Sequence, residues 1–163
     1  MAKINRTVLK RSIKKIQKMS LKDKEAILDE IYLEQPNLLA SVLVLKQMGS
    51  SLEDMEVLIN ILLVTHLALK DACIKLLKIT ENDQDREMTR FVGHVKFAEG
   101  LSSASETQAM QDYINSHEEQ LLLAHAYNEM SNAGFTELRS EAAKYLILAG
   151  VNIVNCISTA KMA

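Results

Sequence analysis

Tryptophan is absent from the 163 residues, proline occurs once, and there are only three phenylalanines, five glycines and two cysteines. Few aromatic or β-branched residues alternate at period two, which argues against a sheet. One proline and five glycines exclude collagen-like and low-complexity chains, and 48% hydrophobic residues exclude a wholly disordered one. Cys73 and Cys156 lie far apart inside apolar segments, so they make neither a disulfide framework nor a zinc knuckle. Both read as small core residues of a reducing compartment. A nucleophile elbow, a phosphate-binding glycine loop and a dinucleotide fingerprint are all missing. No positive argument for an enzyme is left.

Long hydrophobic runs are missing too. The two most apolar stretches, residues 57–69 and 145–157, fall short of the ~20 residues that cross a bilayer. The first is interrupted by Asn60, Thr65 and His66, the second by Gly150, Asn152 and Asn155. They read as central helices of a soluble core, with no transmembrane segment. The N-terminus lacks a secretory apolar region, so the expected location is cytoplasmic.

What the sequence has is helix punctuation. Ser20 with Asp23 resembles an acidic capping box and opens a helix to about Glu34. Pro36 suits the first turn of the next, an apolar helix over residues 38–45 that ends near Gly49. Ser50 with Glu53, or Ser51 with Asp54, opens a long helix to about Lys78. Asn82 or Asp83 starts another, which Gly100 closes. Ser103 with Glu106 opens a helix running to about Asn132 and stopped by Gly134, and Thr136 caps the last one. With a helix before residue 20, the chain is an all-α, single-domain bundle of six or seven helices. Two of them carry heptad-like seams. One is Met55, Ile59, Leu62, His66, Leu69, Cys73 and Leu76; the other is Met110, Ile114, His117, Leu121, Ala124 and Asn128.

Charge is distributed unevenly. Residues 1–24 hold nine basic residues against Asp23, a net of +8, while residues 25–163 carry −10. Within residues 1–19, Val8, Leu9, Ser12, Ile13, Ile16 and Met19 gather on one side of a helical wheel. Lys3, Arg6, Lys10, Arg11, Lys14, Lys15 and Lys18 take the other. Four readings compete for this basic amphipathic helix: packing on the bundle with its lysines in water, a nucleic-acid-binding arm, docking on an anionic membrane, or a cleaved targeting segment. Lys10, Arg11, Lys14, Lys15 and Lys18 are the residues that would meet an anionic partner.

Histidines supply the remaining chemistry. His66, His94 and His117 fall on three successive helices with Glu56, Glu87 and Glu118, and these six are the metal candidates. A ferritin-like di-metal site needs glutamate three residues before histidine, and the residues at that offset are Leu63, Phe91, Ile114 and Leu122. Hydrogen-bonded core histidines are the plainer expectation, with no metal, cofactor or catalytic residue assigned. Cys73 shares a helical side with His66, but both are expected to be buried, which denies a thiolate its setting. Glu118, His125 and Glu129 read as a solvated stripe. The run from Asp83 to Glu87 imitates a calcium loop and fails at Met88 and His94.

The expectation is therefore a non-enzymatic helical protein that works through a protein partner or a second copy of itself. Long seams, eight methionines and the basic amphipathic N-terminal helix motivate it, with the apolar 38–45 segment as a second candidate dimer face. Its rivals are a metal-binding or catalytic bundle using buried histidines, and a binder of nucleic acid or anionic lipid through the basic helix.

Overall fold

The computed structural model describes residues 1–99, 103–137 and 140–163. These form eight α-helices: α1 (Arg6–Lys18), α2 (Leu21–Glu34), α3 (Pro36–Leu43), α4 (Leu52–Asp71), α5 (Glu81–Glu99), α6 (Ser103–Ser116), α7 (Gln120–Asn132) and α8 (Glu141–Thr159). A 3-10 turn over Val44–Lys46 extends α3. The described residues contain no strand, only an isolated bridge between Leu76 and Met162. The all-α class holds; the count of six or seven does not.

Several helix starts follow their caps. The Asp23 N–H donates to Ser20 Oγ at 3.2 Å and the Asp54 N–H to Ser51 Oγ at 3.1 Å. Helix α5 starts earlier than expected because Thr80 is its cap. The Thr80 N–H donates to Asp83 Oδ2 while the Asp83 N–H donates to Thr80 Oγ1, a reciprocal box that gives the acidic run a structural use. Ser140, not Thr136, caps α8, its Oγ accepting the Ala143 N–H. Gly100 lies outside the described residues.

Helix α4 stops at Asp71, seven residues short of Lys78. The Ile74 N–H reaches back to Leu69 O and the Cys73 N–H to Lys70 O, which is a Schellman closure. Cys73 takes the left-handed position at φ 57°. Two other ends use the same closure with glycine there, at Gly49 (φ 97°) and Gly134 (φ 86°). Cys73 and Leu76 thus fall beyond the helix, on a strap of residues 72–80, and the first seam loses its last two members. The rest of that seam does not define the packing either. Ile59 and His66 are only half-buried, whereas Leu58, Ile61, Leu63 and Val64 are fully buried. Helix α4 packs against α1, α2, α3, α7 and α8, so it is covered from several sides and has no single seam.

The expected helix over residues 103–132 is two helices, and the break at residues 117–119 cuts the second seam at His117. No glycine or proline marks it. Side chains make the break: Ser116 Oγ donates to Tyr113 O, and the Glu119 N–H donates to His117 Nδ1. The Glu119 carboxylate, buried, then accepts N–H bonds from Lys3 and Ile4 at 2.8–3.1 Å, anchoring the start of the chain.

Helix α8 is the second centre of the core. By length and composition its 19 residues are apolar enough to cross a membrane, but 61% of the apolar window is buried within the fold against α4, α5 and α7. Gly150 permits the close approach to α7 and α4, since a Cβ there would lie 2.5 Å from Met130 Sδ and 3.0 Å from Leu58 Cδ2.

Candidate functional site

The three candidate histidines separate into two places. His66, on α4, directs Nε2 to Glu30 Oε2 on α2 at 2.9 Å, and Lys70 donates to the same carboxylate at 3.1 and 3.2 Å. These hydrogen bonds, from His66 first and Lys70 second, hold the Glu30 carboxyl below its usual range. His94 and His117 meet elsewhere, in a cleft of about 380 Å³ between α5, α6 and α8. Tyr113 stands between them, its ring centroid 4.8 Å from His94 and 5.7 Å from His117.

Hydrogen bonds orient His117, Tyr113, Asn155 and Glu87 in that cleft. His117 Nδ1 accepts the Glu119 N–H at 3.0 Å, so a neutral ring carries its proton on Nε2. That N–H donates to Asn155 Oδ1 at 2.7 Å, and the Tyr113 hydroxyl donates to the same oxygen at 3.1 Å. The amide nitrogen of Asn155 is then turned away from both donors. Buried Glu87 is clamped by Arg86 at 3.2 Å and Arg90 at 3.3 Å. His94 Nε2 is buried with no hydrogen-bond partner. Burial also raises the Tyr113 hydroxyl above its ordinary value, with the Asn155 hydrogen bond opposing.

One of the three carboxylates placed with the histidines lies apart from them. Glu56 is exposed on α4, and Glu118, in the break between α6 and α7, binds the N-terminal ammonium at 3.2 Å. Glu87 and Glu118 both line the cleft that holds His94 and His117. Among the described residues, no three His, Cys, Asp or Glu side chains are grouped to hold a metal ion. Sequence reasoning missed Tyr113, Glu119 and the role of Asn155. The signal for the last was present: an asparagine in the most apolar helix has an amide that must find partners once buried.

The thiols differ from one another. Cys156 is buried, and burial pushes its thiol up to about 12, so it is inert at neutral pH. Cys73, expected in the core, is exposed because it follows the end of α4. The 118–125–129 stripe does not form, since Glu118 precedes α7 and His125 is half-buried. Burial lowers the His125 pKa, with Glu129 opposing.

Two surfaces complete the inventory. Helix α1 lays Val8, Leu9 and Ile16 on the core and packs mainly on α4. Lys10, Arg11, Lys14, Lys15 and Lys18 are exposed; Arg11 pairs with Asp71 at 3.0 Å, and no ion pair within the described residues holds the four lysines. Apolar exposure concentrates elsewhere. Of ten large exposed hydrophobic residues among those described, seven lie between Leu21 and Leu52. Leu43, Val44, Met48 and Leu52 fall within ten residues around the turn between α3 and α4, which the Ser50 N–H bond to Leu45 O closes.

The chain is thus an all-α protein with a tautomer-locked polar cleft, a basic helix and an apolar edge. No protein-family model, curated protein or solved structure matches it significantly.

Proposed function

We propose that this is a non-enzymatic protein-interaction module whose apolar edge, from α2 to the start of α4, seats a second copy of the chain. The observation that carries the reading is the gathering of seven of the ten exposed large hydrophobics into residues 21–52. Scattered apolar residues are ordinary on a surface, whereas several on one edge mark a contact face. Tyr32 and Leu33 stand at the end of α2, and the Leu43–Val44–Met48–Leu52 turn lies at the far end of α3. A helix of eight residues spans ~12 Å, so both clusters fit under one partner helix. Native mass spectrometry tests this. The wild-type chain is expected as a dimer, and Leu33→Glu with Leu43→Glu as a folded monomer. A wild-type monomer at high micromolar concentration removes the dimer.

A second reading rests on the four lysines of α1 that no carboxylate among the described residues holds. The apolar side of α1 is occupied by α4, so an anionic partner would meet charge alone. Such binding weakens steeply with added salt, whereas the apolar dimer is nearly indifferent to it. Replacing Lys10, Arg11, Lys14, Lys15 and Lys18 by glutamine is expected to abolish retention on heparin and leave the dimer intact. Retention that survives the replacement removes this reading.

A further inference from the structure

A cavity of about 260 Å³ lies under the strap of residues 72–80, between α2, α3, α4 and α8. Ile31, Leu38, Leu62, Leu69, Ile74 and Ile157 wall it with aliphatic carbon, and the His66 imidazole is the one ring among its lining residues. The strap is built to cover it. Exposure alternates along its first part, with Cys73, Lys75 and Leu77 exposed and Ile74 and Leu76 turned partly inward. One edge of the strap is fastened to the C-terminal segment, by the Leu77 N–H to Lys161 O and by the Ala163 N–H to Lys75 O.

The polar groups around the cavity are already used. Thr65 Oγ1 donates to Ile61 O, Gln35 bonds Leu77 O and the Ile79 N–H, and both His66 and Lys70 serve Glu30. These bonds leave the aliphatic walls as the main surface that a guest would meet. The rim carries one charge of each sign outside an ion pair, Lys75 on the strap and Glu34 at the end of α2, both exposed. Well-packed interiors hold few voids of this size. An enclosed aliphatic cavity of ~150 Å³ suffices for benzene, and this larger one opens to solvent at a rim that includes Glu34, Lys70 and Lys75.

We propose that this cavity binds an unbranched alkyl chain of about ten carbons, as carried by a medium-chain fatty acid, with its head at the rim beside Lys75. The proposal does not depend on the dimer. The chain length follows from scaling a six-carbon guest to the larger volume, and the unbranched aliphatic class from the walls.

Titration of the intact protein with carboxylates from hexanoate to tetradecanoate, by calorimetry, tests it. Affinity is expected to rise about fourfold per added methylene and then to level near ten carbons, where the cavity is full. Decanol is expected to bind as well, and Lys75→Gln to weaken decanoate alone, to the level of decanol. A second readout uses Cys73, which lines the cavity and is exposed while Cys156 is buried. Decanoate should slow alkylation of Cys73 by iodoacetamide. Ile74→Trp fills the space and should abolish both effects; should that variant not fold, the wild-type chain-length series still decides. Absence of saturable binding by decanoate and decanol below about 1 mM overturns the proposal. So does affinity that climbs with chain length without levelling, the mark of surface adsorption.

Discussion

His66 and His117 sit in similar sequence contexts, each in the middle of an apolar heptad pattern, and the fold uses them in opposite ways. His66 joins a surface cluster with Glu30 and Lys70, in which Glu30 and Lys70 have side chains 43% and 63% exposed. His117 sits where a helix is broken, with both ring nitrogens bonded and the second bond ending on buried Asn155. The first arrangement is electrostatic and shared with water. The second decides where α6 ends and how the N-terminus is held. Periodicity cannot tell the two apart, because it reports that a residue lies on a stripe and not what the stripe meets.

The largest expected effect lies behind His117. Glu119→Ala removes the acceptor of the Lys3 and Ile4 N–H groups, and the Ile4 side chain is buried at this anchor. A loss of about 3 kcal/mol is expected, as for charged hydrogen bonds removed from a buried site. Denaturant unfolding would show it as a lower midpoint at unchanged slope. Residues 1–5 should also become open to proteolysis. Unaltered stability would mean that the N-terminus is not held there. Asn155→Leu comes next. It strands the Tyr113 hydroxyl and the His117 Nε2–H, two half-buried donors that lose one shared acceptor, at about 2 kcal/mol. A cost below that of a surface substitution would place this network with the His66 cluster rather than against it.

Much of the fold was legible where a single residue type carries the signal. Ser20, Ser51 and Pro36 mark helix starts for local reasons, and Gly49 and Gly134 mark ends because glycine takes positive φ without cost. The end of α4 uses the same closure with Cys73, so nothing at the letter level announced it, and the helix was extended over the strap. The break at His117 was hidden for another reason. Its local bonds, Ser116 to Tyr113 O and the Glu119 N–H to His117 Nδ1, involve no glycine or proline, and its anchor joins Glu119 to Lys3 and Ile4 more than a hundred residues away. The candidate site suffered accordingly: the pairing of His94 with His117 depends on that break, and the separation of His66 depends on the α2 contact. Cys73→Gly isolates the local part of this account. Relief of a left-handed side chain should raise stability by about 1 kcal/mol, read as a higher midpoint. A loss would show that the Cys73 side chain contributes more to the strap than its backbone costs.

The smallest expected effect belongs to Glu30, and its pH dependence separates the two histidine regions most cleanly. The Glu30 carboxyl is held below its ordinary value of 4.5, first by the His66 hydrogen bond and then by Lys70. A depressed carboxyl contributes stability that is fully present above its unfolded value and is lost as pH falls through the folded one. Because the group is largely solvated, that contribution is a few tenths of a kcal/mol, and added salt reduces it further. Glu30→Gln should therefore sit just below wild type at pH 6 and low salt, and the two should converge in strong acid or high salt. Asn155→Leu removes neutral hydrogen bonds from a half-buried site, so its deficit should persist in both conditions. A Glu30→Gln deficit as large and as salt-resistant as that one would mean the His66 cluster is part of the core, and the contrast between the two histidines would be lost.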